Sequence, residues 1–151
     1  IWNIHGILLK RTDAKAAATA YRKAVELDPE YSFTWNNLGW LLHHRLKDFA
    51  GSEKAYRRAI EINPEYATAW NNLGFLLKKE MFDYKGADAA DRRAVQFNPN
   101  YDDAWNNLGF LLFDKFGDIE GARTAYRAAI KANPNHQKAR TNLSRLGPPR
   151  R

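Results

Sequence analysis

The 151-residue chain contains no cysteine. That excludes disulfides, zinc–thiolate centres and thiol nucleophiles, and it leaves the compartment open. No apolar run approaches the ~20 residues needed to span a bilayer. No signal-peptide pattern opens the sequence. An intracellular setting without a membrane partner is the favoured expectation. Also missing are a phosphate-cradling glycine loop, a nucleophile paired with a base, and convergent carboxylates. His43 and His44 are neighbours, so on a helix they diverge by about 100°, and no third ligand is evident. These absences point to a chain that binds rather than catalyses, with no metal or cofactor. The first residue is Ile1 rather than methionine, as expected of a fragment.

Net charge is +7, but it is unevenly placed. Lys138, Arg140, Arg145, Arg150 and Arg151 stand in the last stretch, from 137 onward, without an acid. A basic end can attract nucleic acid or acidic partners. A solvated end is the simpler reading.

What is present is a repeat. Trp-Asn-Asn-Leu-Gly occurs at Trp35, Trp70 and Trp105, and each copy closes on Asn-Pro at Pro64, Pro99 and Pro134. Self-similarity at this period marks a stacked array of helical units. In the copy 32–66, Trp35, Leu38, Leu42 and Leu46 recur at helical spacing and form one apolar stripe. A second helix carries Ala55, Tyr56, Ala59 and Ile60. Pro64 ends it, because proline lacks the N–H and restricts the residue before it. Gly39, Gly74 and Gly109 fall mid-helix, where glycine costs about 1 kcal/mol against alanine. A cost paid in every copy predicts close contact with the second helix.

These residues resemble the tetratricopeptide repeat family. The family pattern of Trp, Leu-Gly, a small residue, an aromatic, an alanine and a proline reads here as Trp105, Leu108, Gly109, Ala122, Tyr126, Ala129 and Pro134. The resemblance implies an all-α fold, a right-handed superhelical array of antiparallel helix pairs. The family repeat has one residue fewer. The extra residue falls before Asp48, Asp83 and Asp118, and brings in Leu46, Met81 and Phe116, which should continue the apolar stripe.

The expected organisation is a single array over 1–147. Residues 1–31 form a truncated first repeat, followed by repeats 32–66, 67–101 and 102–136, a closing helix 137–147, and a disordered basic tail 148–151. In the first repeat Ala17, Tyr21, Ala24 and Pro29 match the second helix. The first helix aligns in two ways. Placing Ile1 where tryptophan stands needs no gap and is preferred. Placing Trp2 and Gly6 on the pattern needs a two-residue deletion. In the closing helix Arg140 replaces the tryptophan and Ser144 the glycine.

The preferred alignment puts Asn3, Asn37, Asn72, Asn107 and Asn142 at one equivalent place. Asn37 lies about 200° around the helix from Trp35, so it points away from the core. The resemblance implies that this side lines a concave groove. Trp40, Phe75 and Phe110 share the face, as do His44 and Lys79, and Asn36, Asn71 and Asn106 flank it. An asparagine amide offers donors and an acceptor that pair with a peptide unit whatever its sequence. The aromatic row offers apolar anchors. The alternative is structural, with the asparagines bonding to neighbouring repeats and the aromatics packing between first helices.

The expected function is therefore a protein–protein interaction scaffold that binds an extended peptide in its groove. His43, His44, Lys78 and Lys79 favour a ligand with acidic residues. Family members that clamp chaperone C-terminal carboxylates use cations where this chain has Trp2, Thr68 or Asp103, and Asn72 or Asn107, which argues against that ligand. Two rivals stay open. One is a nucleic-acid binder, since a 35-residue period is shared with pentatricopeptide repeats, although Trp-x-x-Leu-Gly and the closing proline argue against it. The other is a self-associating structural array.

Overall fold

The computed structural model describes residues 1–10 and 12–147; the expected tail at 148–151 lies outside them. Nine α-helices follow one another among the described residues: α1 (Trp2–Leu9), α2 (Ala14–Leu27), α3 (Ser32–Leu41), α4 (Phe49–Ile62), α5 (Ala67–Lys79), α6 (Tyr84–Phe97), α7 (Asp102–Phe116), α8 (Ile119–Ala132) and α9 (Gln137–Arg145). A π-helical turn, Leu42–Leu46, extends α3. Each odd helix packs on the even helix after it, and each even helix packs on the next odd one. The core is correspondingly a chain of small clusters. Leu38, Leu41 and Ala55 sit in one, Leu73, Leu76 and Ala87 in the next, and Leu108, Ala122 and Tyr126 in the last.

Local chemistry sets the helix ends. Asp13, Asp48, Asp83 and Asp118 each cap an even helix by accepting from the backbone N–H three residues on, at 2.8–2.9 Å. Such a side-chain cap satisfies an otherwise orphaned donor. The Asn-Pro turns are closed by the asparagines. Asn63, Asn98 and Asn133 accept through Oδ1 from the N–H two residues on, at 3.0–3.1 Å. This is the local bond that suits asparagine to turns. The indoles lock the proline turns before them. Trp35, Trp70 and Trp105 donate Nε1–H to the carbonyls of Pro29, Pro64 and Pro99 at 2.9, 2.7 and 2.8 Å. Arg140 in the closing helix keeps that bond, donating Nε–H to the Pro134 carbonyl at 2.8 Å. The cap thus exchanges an indole for a cation without losing the turn.

The mid-helix glycines are explained by contact. A Cβ on Gly39 or Gly109 would lie 2.7 Å from the ring of Tyr56 or Tyr126. Gly6 has the same relation to Tyr21, at 2.5 Å. The first helix therefore aligns on Trp2 and Gly6, not on Ile1. The shortening falls after Gly6, where the Asp13 backbone N–H donates to the Leu9 carbonyl at 2.8 Å. The need for a missing Cβ under the tyrosine outweighs an ungapped register. One consequence is that Asn3 takes the place of Asn36, Asn71 and Asn106, rather than that of Asn37.

The extra residue of the later repeats has one place in space. Lys47, Phe82 and Gly117 all adopt positive φ, at 58°, 56° and 65°. The N–H of the aspartate that follows each donates to the carbonyl six residues back, on Leu42, Leu77 or Leu112, at 2.9–3.0 Å. That closure is one residue wider than the usual left-handed helix stop. It does not continue the apolar stripe as expected. Leu46 packs on the core, but Met81 and Phe116 are 39% and 45% exposed. A stripe stays buried only while a facing helix covers it, and here the chain has already turned away.

Candidate functional site

The odd helices carry the Asn-Asn pairs side by side. Asn37, Asn72, Asn107 and Asn142 donate Nδ2–H to Oδ1 of Asn3, Asn36, Asn71 and Asn106, at 3.3, 2.9, 3.0 and 3.1 Å. Every junction between odd helices thus holds one amide–amide bond. Asn36, Asn71 and Asn106 are buried, while Asn37, Asn72, Asn107 and Asn142 are half-buried. The second asparagine of each pair braces the stack with one N–H and keeps its remaining amide groups for the surface. The two readings of these residues, structural and ligand-facing, are therefore compatible.

Two hollows occur on this face, and they are the same site two repeats apart. The N-terminal one, about 260 Å³, is lined by Lys10, Asn36, Asn37, Trp40, Thr68 and Asn72, with Tyr21 among them. The C-terminal one, about 670 Å³, has the corresponding Lys78, Asn106, Asn107, Phe110, Lys138 and Asn142. Phe75, Lys79, Asp114, Lys115 and Arg145 extend it. Trp40, Phe75 and Phe110 are not sealed between helices. Lysine ammonium groups stand over them: Lys10 is 5.4 Å from the Trp40 ring, Lys79 5.3 Å from Phe75, and Lys78 5.4 Å from Phe110. Such cation–π contacts are attractive and hold the lysines over the rings.

His44 is placed differently from the others. It stacks on His43 at 4.2 Å and leans on Trp40 at 4.8 Å, filling the junction beside the hollows rather than lining either. Burial pushes both imidazoles below their ordinary pKa. Neutral His43 donates from Nε2 to Glu80 at 3.3 Å. Asn3 borders a separate hollow at the N-terminal end with Ile1, Trp2, Leu27 and Tyr31. Of the expected site residues, Asn37, Trp40 and Asn72 thus come together in one hollow, and Phe75, Lys79, Asn107, Phe110 and Asn142 in the other.

Sequence reasoning missed Asp91. Tyr21, Tyr56 and Tyr126 lie at equivalent places on the even helices, and Asp91 occupies that place on α6. It is fully buried, neither carboxylate oxygen has a hydrogen-bond partner among the described residues, and a Cβ on Gly74 would collide with it. Burial raises its pKa to about 7, partly offset by the Lys78 charge. Burial in turn lowers the Lys78 pKa, with Asp91 and Asp114 opposing. The break in the tyrosine column was the available signal. Lys138 and Arg145 were missed as site residues because they read as solvated charge on a closing helix.

Paired helices stacked in one direction, with an amide and aromatic groove along the odd helices, define an α-helical repeat protein of the solenoid class. A family profile described as "TPR repeat" matches residues 41–80. Two described as "Tetratricopeptide repeat" match 20–53, and 7–31 with 102–136. Together they cover most of the chain, which belongs to the tetratricopeptide repeat family. No curated protein matches significantly. Among solved structures, MamA superposes with a TM-score of 0.83 at 23% identity, over 96% of this chain and 78% of that one. YrrB, described as a TPR protein with an unusual peptide-binding site, gives 0.78 at 23%, over 96% and 74%. PilF of Pseudomonas aeruginosa gives 0.84 at 21%, over 96% and 65%. At these identities the likeness concerns the fold. Tetratricopeptide folds are in general protein–protein interaction scaffolds.

Proposed function

We propose that this chain binds an extended peptide segment of a partner protein along the odd-helix face, without catalysis of its own. The observation that carries this reading is the recurrence of one arrangement in two hollows, each framed by three asparagines, an aromatic ring and a lysine. Repetition along the stack suits a repeating backbone, since amides can pair with peptide units of any sequence. Peptide binding by a structural neighbour of the same fold adds support. The nucleic-acid alternative has less. Several arginines of the even helices are ion-paired, Arg57 with Glu53, Arg58 with Glu30 and Glu61, and Arg92 with Asp88.

A peptide-display screen of the folded chain tests the reading. Recovered peptides should bind the Asn72→Ala/Asn107→Ala double variant roughly tenfold to a hundredfold more weakly, as expected from losing two hydrogen bonds of ~0.5–1.5 kcal/mol each. Because these amides also brace the stack, Phe110→Ala serves as the companion variant; its ring is 40% exposed. Affinities unmoved by either change would place the binding elsewhere.

A further inference from the structure

The two hollows share a plan but not a charge. Among the described residues lining the N-terminal one, Lys10 is the one cation, and Thr68 stands where the C-terminal one has Lys138. Around the C-terminal hollow stand Lys78, Lys79, Lys115, Lys138 and Arg145, against one acid, Asp114. Lys115 is engaged with that acid at 2.9 Å. Lys79 has only a distant ion pair, 3.9 Å from Glu80. Among the described residues, neither Lys138 nor Arg145 has an acid within ion-pair reach. Compared with the N-terminal hollow, this one therefore gathers more positive charge without an acid partner among the described residues. The volumes differ as well, about 670 against 260 Å³. Unpaired cations around an aromatic patch form a surface complementary to carboxylates spaced by apolar side chains.

We propose that the C-terminal hollow is the subsite for an acidic stretch of the bound peptide. Lys79, Lys138 and Arg145 hold its carboxylates, and an intervening apolar side chain rests on Phe75 and Phe110. The proposal rests on the peptide-groove reading and gives the groove a polarity, with the acidic part of the ligand toward α9 and a neutral part over the N-terminal hollow.

The test uses the whole chain and three fluorescent probes: a peptide alternating glutamate with leucine, its glutamine counterpart, and a single-stranded oligonucleotide of matching charge. The glutamate peptide should bind more tightly than the glutamine peptide, and less tightly as salt rises. The Lys138→Gln/Arg145→Gln variant should weaken it by roughly threefold to tenfold, the range expected for two exposed ion pairs, and leave the glutamine peptide unchanged. Lys79→Gln, on a different helix, should act in the same direction. Equal binding of both peptides, both lost in Phe110→Ala, would overturn the acidic subsite while the groove reading survives. Binding of neither peptide would overturn both. Oligonucleotide binding as tight as the glutamate peptide's, lost with the same cations, would replace the proposal with a nonselective anion surface.

Discussion

Replacing Asp91 by asparagine removes a titratable group from a fully buried place and changes little in shape. The carboxyl has an ordinary pKa near 3.8 and is raised to about 7 by burial. The folded state therefore holds its proton more tightly than the unfolded chain does. Its contribution to stability is fully present below the unfolded value and is lost as pH rises through the folded one. Three pKa units at about 1.36 kcal/mol each amount to on the order of 4 kcal/mol. The Lys78 ammonium on α5 opposes the loss, and Asp88 on α6 itself adds to it. The assay is urea unfolding of native protein and Asp91→Asn at intervals from about pH 4 to pH 8, since only the difference between the two isolates this one group. The variant should gain on the native protein by up to ~1.4 kcal/mol per pH unit, with the gap levelling off above about pH 7. Parallel curves over the whole range would refute the reasoning. They would mean that the carboxylate ionises in the fold as readily as in water, through a partner or hydration of its own.

Two further substitutions test the packing account. Gly109→Ala gains up to about 1 kcal/mol in helix propensity, but its new methyl would lie 2.7 Å from the Tyr126 ring. A net loss of about 1–3 kcal/mol is expected from overpacking, and a raised melting temperature would show that the ring moves aside freely. Lys47→Gly relieves a left-handed residue at φ 58°, at the place where the fourth repeat already has Gly117. It should stabilise by up to about 1 kcal/mol in chemical denaturation; destabilisation would mean that the lysine side chain contributes more than its backbone strain costs.

Much of the architecture was legible because each feature repeats and each has a short-range cause. Asn-Pro turns, aspartate caps and the Trp-x-x-Leu-Gly stripe act within a few residues, so the sequence alone sets the helices seen among the described residues, their pairing and the contact between Gly39 or Gly109 and the second helix. The groove face was legible for the same reason, since helical geometry alone puts Asn37 opposite the core. The first-helix register was not, because an ungapped alignment counts residues, whereas Tyr21 demands a glycine. Only packing against that ring moves Asn3 to the place of Asn36. The fate of Met81 and Phe116 also needed the fold, since an apolar side chain is buried only where another helix lies over it. So did the dual use of the asparagines. Their spacing shows one row, while only the lateral distance between odd helices lets the second amide of each pair donate to the buried first amide of the preceding helix and still border the surface. Asp91, Lys138 and Arg145 mark the limit of sequence reasoning. Charge is written along the chain, but desolvation and pairing depend on which helices come together.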